Sequence, residues 1–113
     1  MALALNVFQT VTSVVSTSST AVYTAPVGYT GVVLLAQVAN IGSSSADVSL
    51  SHQRSVVGVA VTTEMLKNYP IAANDTANLL AGKLVLESGD KLVLSGSNAT
   101  DLKFIASILE TLN

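Results

Sequence analysis

The single histidine of the chain is the first place to look for catalysis. His52 could act as a general base if a serine and a carboxylate such as Asp47 came within hydrogen-bond reach. No spacing in the sequence fixes such a triad, and His52 shares one face of a predicted strand with Val48 and Leu50. We therefore favour a structural side chain at the end of that strand over a catalytic base.

The acidic residues and the glycine-rich segments offer no second catalytic pattern. Glu87 and Asp90 flank a tight turn, where acidic residues are usually structural. Neither this turn nor Asn74-Asp-Thr has the clustered oxygen ligands of a calcium loop. Gly28-Tyr-Thr-Gly and Gly82-Lys lack the spacing and the following helix of a nucleotide-binding loop. We predict no catalytic residue, no metal and no cofactor.

Composition excludes several further classes of protein. Half of the 113 residues are hydrophobic and 11% are charged, against roughly 25% charged in an ordinary soluble domain. The five basic residues form no stripe that could neutralise phosphates, so nucleic-acid binding is not expected. Serine and threonine supply the polar surface. Hydroxyl groups are cheap to desolvate, which suits a surface that meets other protein and equally suits an ordinary β-sandwich.

The apolar segments are too short for a membrane span or a signal peptide. Residues 1–5 lack a basic region and a long apolar core, and residues 32–39 are interrupted by Gln37. The chain has no cysteine, which agrees weakly with folding in a reducing cytoplasm. We expect a soluble protein without a secretion signal.

Valine- and threonine-rich segments with a period of two predict β-strands. Apolar residues on both faces of residues 31–41 predict a central strand covered on both sides, with Val32, Leu34, Ala36 and Val38 on one face. Residues 83–87 and 91–95 are predicted to pair as a hairpin around residues 88–90. The predicted strands are residues 5–16, 21–24, 31–41, 47–53, 59–66, 83–87 and 91–95.

Four segments are less clear. Residues 54–58 read as an ambiguous connection and residues 68–71 as a corner. Asn74 or Asp75 could cap a short helical turn over residues 77–80. Residues 102–112 fit either a strand or a helix, and we favour a strand because the preceding hairpin would leave an edge to pair with.

Short strands separated by turns, with no long helix, predict an all-β fold. We expect a single-domain antiparallel β-sandwich, of which the jelly roll is one form. Residues 1–113 would form one domain, with a short apolar N-terminal arm at about residues 1–6.

Three stretches carry a family resemblance. They begin Val22-Tyr-Thr-Ala-Pro-Val-Gly-Tyr-Thr-Gly, Asn68-Tyr-Pro-Ile-Ala-Ala and Leu80-Ala-Gly-Lys-Leu-Val-Leu-Glu-Ser-Gly-Asp. Together they resemble small β-sandwich virion proteins of tailed bacteriophages. The resemblance implies a non-enzymatic capsid decoration (cement) protein, made in the host cytoplasm. Such a protein binds the lattice of major capsid protein on the capsid surface, commonly as a trimer.

Other functions stay open beside this one. A neck, tail or fibre-associated protein is the alternative within virions. A small carbohydrate-binding module would need aromatic side chains on one face, and Tyr23, Tyr29 and Tyr69 are few and scattered. An enzyme comes last, because it would need a pocket around His52 with a carboxylate and a hydroxyl in reach.

The apolar N-terminus is predicted to take part in assembly. Leu3, Leu5, Val7 and Phe8 are the expected interface residues of a homo-oligomer, although the same segment could pack on its own domain. Deletion of residues 1–5 should lower the mass of the oligomer or its binding to particles while leaving the unfolding temperature nearly unchanged. Light scattering and a thermal melt check this. An unchanged oligomer with unchanged particle binding would contradict it.

Overall fold

The computed structural model describes residues 6–113, so Leu3 and Leu5 lie outside the described residues. Every regular element within that range is a β-strand, which confirms the all-β prediction. The strands are β1 (Asn6–Val14), β2 (Thr20–Thr24), β3 (Tyr29–Asn40), β4 (Ala46–Val56), β5 (Val59–Ile71), β6 (Asp75–Asn78), β7 (Leu84–Leu86), β8 (Lys91–Gly96) and β9 (Leu102–Leu112).

The strands form two antiparallel sheets packed face to face. The first sheet has the order β1-β9-β3-β6, and β7 also pairs with β3. The second sheet has the order β2-β8-β4-β5. The chain crosses repeatedly between the sheets, so neighbours in space are mostly distant in sequence. This arrangement confirms the predicted antiparallel sandwich.

The core lies between the sheets and is built mainly from alternate residues of β3, β4, β8 and β9, with Ile71 at the end of β5. Fully burying one such aliphatic or aromatic side chain contributes about 1.5–3 kcal/mol. Successive side chains of a strand point to opposite faces of the sheet. The position of a residue in this alternation therefore decides whether its side chain is buried and gains this energy. The largest fully buried side chains include Phe104, Leu50, Ile71, Leu86, Leu92, Leu94, Leu102 and Ile108.

Strand β9 settles the ambiguity over residues 102–112. Leu102, Phe104, Ala106 and Ile108 are all buried, which is the period of a strand and not of a helix. The reason given for expecting a strand there was wrong, however. Strand β9 does not extend an edge left by a hairpin, because it lies inside the first sheet and pairs with β1 on one side and β3 on the other.

Strand β3 departs from the predicted alternation at a bulge. The register with β9 shifts between Val33 and Leu35, so Leu34 is an extra residue. Val33, Ala36 and Val38 consequently share the core face, and the predicted set with Val32 and Leu34 is wrong. Leu34 and Leu35 are each 38% exposed. The expectation that both faces of this strand are covered is therefore also wrong for the described residues.

The predicted hairpin of residues 83–87 and 91–95 does not form. Strand β7 pairs with β3 in the first sheet, whereas β8 pairs with β2 and β4 in the second. The turn itself is present, since the amide of Asp90 donates to the carbonyl of Glu87 at 2.9 Å. It carries the chain from one sheet to the other. Leu86 before the turn and Leu92 after it enter the core from opposite sheets, and both are fully buried.

The predicted helical turn at residues 77–80 does not form, because residues 75–78 are strand β6. Strand β6 pairs with β3, and Ala77 lies opposite Val38 and packs against the core. Asn74 has a φ of +60°, a turn conformation that asparagine tolerates, and does not cap a helix. Tertiary pairing with β3 overrides the weak local preference for a helical turn.

The ambiguous connection and the predicted corner are both parts of longer strands. Strands β4 and β5 meet in a two-residue turn, where Val57 and Gly58 have φ values of +50° and +78°. Positive φ at both central residues is the geometry that suits the twist of a hairpin. Strand β5 then runs through the expected corner to Ile71, with register shifts opposite Val48 and Leu50.

A buried polar cluster ties the two sheets together. Glu110 of β9 points into the core with 7% of its surface exposed. The hydroxyl of Tyr23, from the second sheet, donates to Glu110 Oε2 at 2.5 Å, and Gln9 Nε2 donates to the same oxygen. Burial and the hydrogen bond to Glu110 raise the pKa of Tyr23, which therefore stays a protonated donor. A Cβ at Gly31 would lie 3.1 Å from Tyr23 Oη, so the glycine leaves room for the ring.

Replacing Tyr23 tests how much this buried polar cluster contributes to the free energy of unfolding. Tyr23→Phe keeps the ring but removes one donor from a buried carboxylate, so the free energy of unfolding should fall by about 1–3 kcal/mol. Tyr69→Phe, at a side chain 45% exposed on strand β5, is the matched control and should change it by less than about 0.5 kcal/mol. Urea unfolding measures the free energy of unfolding of both variants. Equal losses in the two would contradict a stabilising role for the Tyr23–Glu110 hydrogen bond.

Candidate interaction surface

The outward face of the first sheet carries a continuous row of apolar side chains. The register aligns Phe8 of β1 with Leu109 of β9, then with Val32 of β3 and Val85 of β7. Phe8 is 74% exposed and Val85 is 55% exposed. We call this outward side of β1, β9, β3 and β7 the apolar face.

Further apolar residues widen the row, and charge is scarce around it. Leu34 and Leu35 stand out at the β3 bulge, and Ile105 is 40% exposed further along β9. Among the outward-facing residues of β1, β9 and β3, Lys103 is the one charged side chain. Thr10, Ser107 and Gln37 lie between these apolar residues, so the face combines apolar and uncharged polar side chains and is almost free of charge.

The opposite outer face, on the second sheet, has a different chemistry. Val93 of β8 is its one large aliphatic residue at the centre, flanked in register by Ser51 of β4. Apart from Ala21 of β2, directly opposite Val93, the outward residues around it are polar: Ser49, Gln53, Lys91, Ser95, Thr62 and Glu64. The two outer faces of the sandwich therefore differ: the face of the first sheet carries several exposed apolar side chains, and the face of the second sheet is mainly polar.

The structure separates the predicted interface residues that it describes. Val7 points inward, half-buried opposite Glu110, and so contributes to the sandwich interior. Phe8 points outward and belongs to the apolar face. Sequence reasoning missed Leu109 and Val85, since their alignment with Phe8 depends on the pairing of β1, β9, β3 and β7.

The β4–β5 hairpin is a second exposed apolar element. Strand β4 pairs with β8 only as far as Gln53, and residues 54–61 pair only with each other, so the hairpin projects beyond the sandwich. Val57 at its tip is 97% exposed and Val59 is 64% exposed. Positive φ in a β-branched residue is strained, so the tip keeps Val57 at a cost in free energy.

A cluster of charged side chains lies at the base of this hairpin. Asp90 accepts from Arg54 Nη2 at 2.6 Å, from Arg54 Nε at 3.2 Å and from the amide of Glu87 at 3.0 Å. His52 Nε2 lies 3.0 Å from Asp90 Oδ2, and Arg54 also donates to Glu87 at 3.0 Å. The Asp90 side chain is 5% exposed. The cluster clamps the hairpin to the turn at residues 87–90.

The geometry of this cluster fits the structural interpretation of His52. Its carboxylate neighbour is Asp90 and not Asp47, because Asp47 points outward on β4 while His52 points inward. Burial of Asp90 raises its pKa, but hydrogen bonds from Arg54, from His52 and from the Glu87 amide outweigh it and lower the pKa to about 2. A carboxylate held by this many donors stays ionised and positions its neighbours. Glu87 and Asp90 also hold the structural turn expected of them.

Within residues 6–113, no three histidine or acidic side chains lie close enough together to hold a metal ion. The same residues include no helix long and apolar enough to cross a membrane.

Comparison with known proteins gives a likeness of fold. The structure is similar to a chain of the acid-stable capsid of Helicobacter pylori bacteriophage KHP30, with a TM-score of 0.55 and 14% identity over 96% of this chain and 89% of that one. It is also similar to a chain of the T13 IBDV viral particle, with a TM-score of 0.57 and 12% identity over 97% of this chain and 32% of that one. No protein-family profile and no curated protein matches the sequence.

The charged cluster predicts a loss of stability in acid. The pKa of Asp90 is lower in the folded chain than the ordinary value of 3.8, so its contribution is present above that value and is lost as the pH falls toward about 2. The free energy of unfolding should drop by up to about 2 kcal/mol over this window. Asp90→Asn should remove that part of the pH dependence, whereas Glu87→Gln, at a side chain 71% exposed, should keep it. Urea unfolding across the window decides between them, and identical pH profiles in the two variants would contradict the assignment.

Proposed function

We propose that this chain is a non-enzymatic virion structural protein that binds to a lattice of major capsid protein as a decoration protein. The observation that carries the proposal is the fold likeness to the KHP30 capsid chain, which spans nearly the whole of both chains. The second likeness, to the IBDV particle, covers 97% of this chain and supports the same class.

The strand order supports a jelly roll. If β6 and β7, which pair with successive parts of β3, are taken as one interrupted strand, each sheet has four strands. Two four-stranded sheets whose chain crosses repeatedly between them form the jelly-roll arrangement found in viral capsid domains. This topology is also found in lectins, so the surface chemistry has to carry the rest of the argument.

The apolar face suits contact with a repeated protein surface. Its side chains can be covered without removing many charges from water, because Lys103 is the one charge on the outward side of β1, β9 and β3. A decoration protein repeats one modest interface over a whole shell, and avidity then multiplies the effect wherever copies are linked to one another. We propose the apolar face, with Phe8 at its edge, as the side that meets the capsid lattice.

Carbohydrate binding is less well supported by the same surface. Tyr23 is buried and holds Glu110, so it cannot contribute to an exposed aromatic platform. A homo-oligomer stays a prediction; the family resemblance implies a trimer, and the measured mass of the assembly separates a trimer from a dimer.

Copy number in the particle tests the proposed function. Quantitative mass spectrometry of purified virions should find this chain at a simple, large fraction of the major capsid protein. A copy number typical of a ring would move the protein to the neck or tail. Absence from the particle would overturn the virion proposal.

A matched pair of substitutions tests the docking side. Ile105→Lys places a charge on the apolar face, in the second strand of the first sheet. Val93→Lys makes the corresponding change in the second strand of the second sheet. Binding to particles assembled without the chain should weaken at least about tenfold for Ile105→Lys, since a buried unpaired charge is costly, and less than about twofold for Val93→Lys.

Co-sedimentation measures the binding in both cases. Thermal unfolding confirms that both variants fold. An equal loss in the two variants, or a loss for Val93→Lys alone, would contradict the assignment of the apolar face.

A further inference from the structure

The two sheets have four edges, and one of them is open. Strand β1 forms a regular nine-residue edge whose register with β9 has no shift. Its sequence, Asn6-Val-Phe-Gln-Thr-Val-Thr-Ser-Val, has no charge, no proline and no glycine. Natural proteins usually block an edge with such residues, with a bulge or with a short strand. Among residues 6–113, only β9 pairs with β1, so its other side can accept a further strand.

The other three edges carry the features that block pairing. Strand β5 has two register shifts, the Glu64–Lys67 ion pair and Pro70, and its longest uncharged run is the five residues 59–63. Strand β2 has five residues and a register shift between Ala21 and Tyr23. The last edge consists of two separate strands, β6 and β7, of four and three residues.

We propose that β1 pairs with β1 of a second copy of this chain, antiparallel, about a two-fold axis at Thr10. Because β1 is the open edge among the described strands, pairing between copies through a sheet edge has to join like to like. A like-to-like contact is isologous and closes at two chains. The two first sheets then form one continuous sheet.

The pairing matches side chains without conflict. An axis at Thr10 places Phe8 opposite Thr12 of the second copy and Asn6 opposite its Val14, so all nine residues of the strand are paired. Every cross-strand pair is uncharged. Phe8 has Leu109 on one side and solvent beyond the edge on the other, and the second copy covers that open side. Aromatic and β-branched neighbours across strands stabilise a sheet.

The two-fold axis also keeps both apolar faces on the same side. Even-numbered residues of β1 pair with even-numbered residues of the second copy, so outward side chains stay outward in both. The row from Phe8 to Val85 is thereby doubled across the dimer. The inference does not rest on the proposed function, because the dimer forms without a particle.

The dependence of the molecular mass on protein concentration tests the dimer. One strand pair is a small interface, so the full-length chain should shift from one to two chains at concentrations on the order of 10–100 µM. Thr10→Lys puts two like charges opposite each other at the axis and should weaken the dimer at least about tenfold. Thr62→Lys makes the same change on the edge strand β5 and should leave the dimer unchanged within about twofold.

Analytical ultracentrifugation gives these masses, and circular dichroism confirms that both variants fold. A monomer throughout this range, a mass of three chains, or a dimer lost in Thr62→Lys but kept in Thr10→Lys would each overturn the proposal.

Introduced cysteines test the register independently, because the chain has none of its own. At the axis, the two copies of residue 10 have Cα atoms about 4.5–5.5 Å apart, within disulfide range. Thr10→Cys should form an intermolecular disulfide under mild oxidation. In Thr12→Cys the two thiols are offset by four residues, about 14 Å, and should stay reduced. Equal cross-linking of the two variants, or none in Thr10→Cys, would overturn the pairing at Thr10.

Discussion

The pairing of β9 with both β1 and β3 is the constraint on which the rest of the structure depends. It sets which residues of three strands stand in each row across the first sheet. On the inner side it places Phe104 and Ile108 in the core and Glu110 beneath Tyr23. On the outer side the same register brings Phe8, Leu109 and Val32 into line. One strand therefore determines both the interior of the sandwich and the chemistry of the surface that it presents.

Three of the twelve charged side chains hold parts of the fold together. Asp90 and Arg54 fasten the projecting hairpin to the sandwich, and Glu110 joins the two sheets through a neutral tyrosine. Both carboxylates are buried and hydrogen-bonded, which limits the cost of taking them out of water. The broad outer face of the first sheet is left almost without charge. That division separates the residues that hold the fold from the surface available to partners.

Much of the fold follows from the sequence, and the exceptions have identifiable causes. The alternation of apolar residues located β1, β4 and β9, because burial on one face of a strand has a strict period of two. The bulge at Leu34 was missed because one extra residue leaves no mark in an all-apolar stretch. The turn at residues 88–90 was recognised, but a turn does not reveal whether the flanking strands pair or part into different sheets. The apolar face was not predictable beyond Phe8, since it exists only once distant strands are in register.

The position of β9 also has a consequence for how the chain reaches this fold. Strands β1 and β3 are made well before β9, yet each needs β9 as its neighbour. Until residues 102–112 have emerged from the ribosome, the first sheet lacks its central strand β9. The edges of β1 and β3 that pair with β9 carry no charge and remain unpaired. Contacts between segments this far apart in sequence make folding slow and expose aggregation-prone intermediates. The first sheet is therefore complete only once β9 has inserted between two strands that precede it in the chain.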